Sequence, residues 1–187
     1  MKMISLMENS DPQQRKYTVL SYNPEWPALF ESVREELKTV FHDEAIKIEH
    51  VGSTAVPGMA AKPTIDVLIV VKNVFEVDKL NEKMKQLGYD AYGEYVGKGG
   101  RFFAKEEDGE RIVNVHCFPA DHPKVRDLIG MRDYLRAHEE ESKAYADLKL
   151  DLVQKFPNDY FAYRKEKDRY IQELKNRVLK WRYGFNG

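Results

Sequence analysis

Apolar positions recur with two different periods along this chain, and the change of period divides it. Asn23-Pro24-Glu25 combines a capping side chain, a proline and an acid, which together start a helix. Trp26, Leu29, Phe30, Val33, Leu37, Val40 and Phe41 follow at helical spacing, so one face of that helix is buried. Residues 46–51 then alternate as a strand. A loop of small residues and turn formers runs from Gly52 to Pro63. Ile65–Val71 is β-branched and apolar apart from Asp66, the pattern of a buried strand carrying one acid. Val74, Val77, Leu80, Met84 and Leu87 form a second helical stripe that Gly88 ends. Residues 101–105 and 112–118 read as two strands joined by a turn at Asp108-Gly109. Residues 89–100 fit strand, loop or both. Three helical patterns follow near 123–138, 140–156 and 159–181, and Pro157 separates the last two.

These elements predict an α+β fold with a mixed sheet of four or five strands. The sheet-rich core spans about 17–120 and the helical region about 121–187. A length of 187 residues suits one domain, 17–187, preceded by a polar arm over 1–16. With 42% hydrophobic and 33% charged residues the chain has a globular composition. Its net charge of −1 gives no global field for nucleic acid or anionic lipid. The single cysteine, Cys117, excludes internal disulfides and Cys-rich zinc modules. It fits a reducing, cytoplasmic setting, and its place on the apolar face of its strand makes it an inert core thiol. No apolar run is long enough to span a bilayer, and Met1–Ser10 lacks a signal-peptide core.

Candidate chemistry concentrates at His50-Val51-Gly52-Ser53 and, after twelve intervening residues, Asp66-Val67-Leu68-Ile69. Glycine permits close approach of backbone to a phosphate, and serine can donate to its oxygens. A strand-borne aspartate can hold Mg²⁺ or another divalent metal against that phosphate. This arrangement resembles the signature of the polymerase-beta-like nucleotidyltransferase superfamily. The longer string from Glu49 to Asp66 resembles the GrpB family, bacterial proteins assigned to that superfamily by fold, some fused to dephospho-coenzyme A kinase. Asn23-Pro24-Glu25-Trp26, Gly100-Arg101-Phe102-Phe103, Asn114-Val115-His116 and Phe156-Pro157-Asn158-Asp159 with Tyr163 and Lys167 are similar to it as well. The resemblance spans about Tyr22 to Leu179. It implies a nucleotidyltransferase-like core and a cleft for a nucleotide or another phosphorylated small molecule.

One departure matters. The superfamily places a second acid two residues after the first, and here that residue is Leu68 on the face of Asp66. The later strand offers Asn114 and His116 in place of a third acid. Two hard cations on one carboxylate is poor chemistry, so ordinary two-metal transfer is disfavoured. The expected site therefore comprises Gly52, Ser53, Thr54, Lys62, Arg101 and Lys167 around an anion. Asp66 and His116 are the candidate catalytic residues, and Asp66, His116 and His50 the candidate metal ligands. Each has a plainer reading: a helix-capping serine, an aspartate paired with Lys62 or Arg101, core histidines, solvated lysines.

Lys167 shares an apolar helix face with Tyr163, Ile171, Leu174 and Val178, so its ammonium either snorkels to water or meets a buried anion. Residues 155–182 carry nine Lys or Arg against four Asp or Glu, but no nucleic-acid-binding motif accompanies them. Gly-x-Ser-x-Gly, His-Glu-x-x-His and Gly-x-Gly-x-x-Gly are all missing. Two alternatives stand beside the nucleotidyltransferase-like reading. One is a non-catalytic accessory module acting on a protein partner. The other is a metal-dependent hydrolase using His50, Asp66 and His116.

Overall fold

A computed structural model of the protein describes residues 18–184. The expected arm over 1–16 lies outside them. The first helix, α1 (Trp26–Phe41), opens where Asn23 Oδ1 accepts the Glu25 amide at 2.9 Å, and Pro27 occupies its first turn. It leads into β1 (Ala45–Val51), a single 3₁₀ turn at Ser53–Ala55 and β2 (Ile65–Val71). The second helical stripe is two short helices, α2 (Val74–Val77) and α3 (Asn81–Gln86), separated by a 3₁₀ turn at Asp78–Leu80. The ambiguous stretch resolves into a short edge strand, β3 (Tyr89–Ala91), followed by a loop. Strands β4 (Arg101–Glu107) and β5 (Glu110–Pro119) form the expected hairpin, with Asp108 and Gly109 both at positive φ in its turn. Helices α4 (Pro123–Ala137), α5 (Glu139–Lys155) and α6 (Tyr160–Tyr183) complete the α+β architecture.

The strand order is β1-β2-β5-β4-β3. Only β2 and β5 run parallel; the other pairs are antiparallel, so the sheet is mixed. Alternation sorts its residues onto two faces. Val67, Ile69 and Val71 join Val115 and Cys117 against Trp26, Phe30, Leu37 and Phe41 of α1. The opposite face places Val51, Leu68, Val70 and Phe118 against Val125, Leu128 and Ile129 of α4. A third cluster locks α4, α5 and α6 onto Val56 and Met59 of the loop after β1. Burial of each such large side chain stabilises the fold by about 1.5–3 kcal/mol. The helical half is therefore fastened directly to the segment that carries Gly52 and Ser53. No helix among the described residues is long and apolar enough to cross a membrane.

One irregularity decides where Arg101 points. The turn sets Glu107 opposite Glu110 and Glu106 opposite Arg111. A regular ladder from there would put Arg101 opposite His116. The register instead shifts between Lys105 and Glu106, and Arg101 lies opposite Cys117. A bulge of one residue turns every later side chain to the other face.

Candidate functional site

Gly52 ends β1 with φ +74° and ψ −171°, a conformation essentially confined to glycine. A Cβ there would also overlap Asp66 Oδ2. Asp66 lies directly across from Val51, so the carboxylate rests on the turn, as the sequence spacing suggested. Its other oxygen, Oδ1, accepts the Asn114 Nδ2 amide at 2.8 Å and lies 3.7 Å from His116 Nε2. Asn114 is the register partner of Asp66, and His116 that of Leu68. Asn114 Oδ1 is buried with no hydrogen-bond partner among the described residues, so the position has spare acceptor capacity.

Beside this group opens a cavity of about 260 Å³. Ser53, Asp66 and Asn114 form one side. Lys149 of α5 and Lys167 of α6 form the other, and Lys62 and Arg111 also line it. Lys149 is 3% exposed, and its Nζ donates to Ser53 Oγ at 3.0 Å while lying 4.4 Å from the Tyr145 ring centroid. That serine is a neutral partner; no carboxylate offsets the ammonium among the described residues. Burial, then the nearby charge of Lys167, depresses the Lys149 pKa to about 7. Burial likewise lowers that of Lys167, although Asp168 lies 3.9 Å away and partly counteracts it. Lys167 Nζ is 5.8 Å from the centroid of Tyr163, another wall of the cavity. Asp66 is the one acidic residue among those lining this space.

The structure thus brings together Gly52, Ser53, Lys62, Asp66 and Lys167. His116 lies beside Asp66 but outside the cavity lining, its ring 5.1 Å from that of Phe102. Three expectations are corrected. Arg101 is on the opposite face because of the bulge at Ile112 of β5, and its Nε and Nη2 bond both carboxylate oxygens of Asp78 at 2.5 and 2.7 Å. That ion pair holds the Asp78 carboxyl below its ordinary pKa. Thr54 touches the cavity but is 1% exposed, and its hydroxyl donates to the Thr64 carbonyl at 3.3 Å, so it has no proton left for a phosphate. The same oxygen meets His50 Nε2 at 3.0 Å, which makes His50 the donor in that pair. His50 faces α1, stacks 4.6 Å from Phe30, and burial pushes its pKa down to about 4. It is a neutral structural histidine, not a metal ligand.

Lys149 went unrecognised in the sequence. It completes a buried α5 stripe of Ser142, Tyr145, Ala146 and Leu152, the same signal that singles out Lys167. Magnesium is the ion that the superfamily pattern implies, and the donor set does not fit a two-cation centre. Leu68, where a second acid would stand, is fully buried under α4. No group of three His, Cys, Asp or Glu side chains suited to a metal occurs among the described residues.

A wider groove of about 480 Å³ lies between α1, β1 and α4. Two of its arginines are committed, Arg132 to Glu49 and the His50 carbonyl and Arg136 to the Ala55 carbonyl, while Arg34 pairs through Nη2 with Glu31 of its own helix. Arg132 and Arg136 brace α4 against β1 and the turn after it, which leaves the smaller cavity as the candidate site.

Residues 16–177 match the family model described as GrpB protein. The chain belongs to the GrpB family. UPF0157 protein YqkA of Bacillus subtilis (strain 168) is 38% identical over 173 residues, covering 92% of this chain and 50% of the relative, so this GrpB chain spans about half of that protein's length. The crystal structure of the conserved protein GrpB from Enterococcus faecalis superposes with a TM-score of 0.84 at 32% identity, covering 89% of this chain and 99% of that one. A looser match, with a TM-score of 0.46 and 14% identity, is terminal uridylyl transferase 4 from Trypanosoma brucei with bound UTP and UMP. It covers 72% of this chain and 43% of that one.

Proposed function

We propose that this GrpB protein binds a nucleotide or a related phosphorylated small molecule between the Gly52–Ser53 turn and helices α5 and α6. The observation that carries the reading is the convergence of two ammonium groups, the buried Lys149 bonded to the Gly-Ser turn and the half-buried Lys167, on a cavity whose one acidic lining residue is Asp66. Uncompensated buried charge is costly, and a phosphate is the counterion that relieves it. Ser53 and the two lysines hold phosphate oxygens in this reading, with Lys62 and Arg111 adding positive charge at the margin. Asp66, steadied by Asn114 and Gly52, accepts a hydroxyl or amine of the ligand. The tyrosines at 145, 160 and 163 supply aromatic surface for a base. Where transfer of a nucleotidyl or phosphoryl group follows, it depends on positioning and lysine charge, because a two-cation centre does not fit.

Titration calorimetry with a panel of nucleotides, with and without Mg²⁺ or Mn²⁺, tests this. The expected heat is saturable and disappears in Ser53→Ala and Asp66→Ala. At pH 8 binding also takes up about one proton, since a bound phosphate raises the Lys149 pKa. Failure of every nucleotide to bind refutes the reading.

A further inference from the structure

Ser53 stands at a junction. The cationic cavity lies on one side of it. On the other is a second cavity, also about 260 Å³, walled by Leu128, Met131 and Leu135 of α4 and Ile171 of α6. Ser53 and Tyr145 line both. The hydroxyl at this junction has a lysine nitrogen 3.0 Å from its oxygen, and that lysine is almost wholly buried. Lysine acts as a general base only when neutral, and the surroundings of Lys149 favour the neutral amine: an apolar helix interface, the Tyr145 ring and the repelling charge of Lys167. Ser53 itself is half-exposed and open to a ligand. The local sequence Val51-Gly52-Ser53-Thr54-Ala55 is not a nucleophile elbow, so motif searching does not flag it.

We propose that Ser53 and Lys149 form a nucleophile and base that accept an acyl group from an ester or thioester, with the acyl chain in the apolar cavity and a phosphorylated leaving group held in the cationic one by Lys62, Arg111 and Lys167, its phosphate clear of Lys149 so that the amine stays neutral. The second half of this proposal rests on the anion-binding reading above; the first does not. In the step, Ser53 Oγ bonds to the acyl carbon as the bond to the leaving oxygen or sulfur breaks. Lys149 Nζ takes the serine proton and passes it to the leaving group. Water then attacks the acyl carbon and gives a proton to Lys149, and Ser53 Oγ departs and recovers it. Lys167 contributes positive charge on the side where negative charge develops.

The test uses the full chain and p-nitrophenyl butyrate, an ester with no phosphate. The expected result is nitrophenolate release with a butyryl ester mapped to Ser53 by peptide mass spectrometry, or steady turnover where hydrolysis of that ester is fast. The rate rises with pH and levels off through about pH 7, as Lys149 becomes neutral. It vanishes in Ser53→Ala and falls about 100-fold or more in Lys149→Met, the size expected for loss of a general base. Lys143→Ala, on the exposed side of α5, leaves it unchanged. Thermal melts establish that each variant is folded, and Lys149→Arg, which stays charged, repeats the test should the methionine variant misfold. Release that persists in Ser53→Ala, or a flat pH profile, overturns the nucleophile assignment. Pyrophosphate calorimetry on the unaltered protein separates the two readings. Heat without acylation overturns acyl transfer and leaves the anion site standing; acylation without heat overturns the phosphorylated leaving group alone.

Discussion

Replacing Lys149 by methionine should make the protein more stable at neutral pH while removing its site. In the unfolded chain the ammonium titrates near 10.5; in the fold it titrates near 7. Between those values the unfolded state binds the additional proton, so stability climbs as pH rises, by about 1.4 kcal/mol per pH unit where the difference is complete. At pH 7 the buried charge therefore holds back about 4 kcal/mol, and about 2 kcal/mol of this is regained by pH 9. Methionine fills a similar volume without the charge. It forfeits the hydrogen bond to Ser53, about 1 kcal/mol, and the contact with the Tyr145 ring, about another 1 kcal/mol. The net expectation is a gain of about 2 kcal/mol at pH 7, or about 4–8 °C in Tm, closing to about zero at pH 9. Urea unfolding followed by the fluorescence of buried Trp26, with both proteins measured from pH 6 to 9, isolates the difference from other titrating groups. A variant no more stable at pH 7, or an advantage that does not shrink as pH rises, refutes the buried-charge argument.

Three further outcomes are expected. Gly52→Ala combines a φ of +74° with an overlap on Asp66 Oδ2, so it should lose about 2–3 kcal/mol by denaturant melting and abolish nucleotide heat, whereas Gly58→Ala, where a Cβ has open space, should retain the heat. Leu68→Asp should not rebuild a metal site: it places a carboxylate among Val51, Val70 and Phe118, destabilises by about 3 kcal/mol or more, and confers no Mn²⁺ binding in calorimetry. His50 has a folded pKa near 4 against 6.5 unfolded, so the unfolded state binds more protons in that window and stability falls by about 3 kcal/mol as pH drops through it. In His50→Gln acid melts this component of the loss should disappear.

How much of this was legible in the chain depends on the range of the interaction. The Asp-Gly turn, the apolar strand interrupted by Asp66 and the helix opening at Asn23 are local patterns, and each became the expected element. Asp66 on the Gly-Ser turn was legible too, because a short loop returning to an adjacent strand constrains both ends. Arg101 was not. Its face depends on one bulged residue in the β4–β5 ladder, which carries no marking in the sequence, and without it alternation would have aimed the side chain to the cleft side. The division of α2 and α3 was hidden as well, since the apolar stripe continues across the break while Asp78 is bonded to Arg101.

Lys149 shows a different limit. A lysine on a buried helix face is visible in the sequence, but its partner Ser53 lies ninety-six positions away, and nothing in either segment names the other. What joins them is division of labour within the fold. The sheet supplies conformation: a glycine that only φ > 0 explains, and a carboxylate resting against it. The helices supply charge, brought to the turn because Val56 and Met59 just beyond it are packed under α4, α5 and α6. Neither half is a site without the other. Loosening the helices from that loop should therefore release Lys149 and Lys167 to solvent, return the Lys149 pKa toward 10.5, and remove both anion binding and the serine's base together.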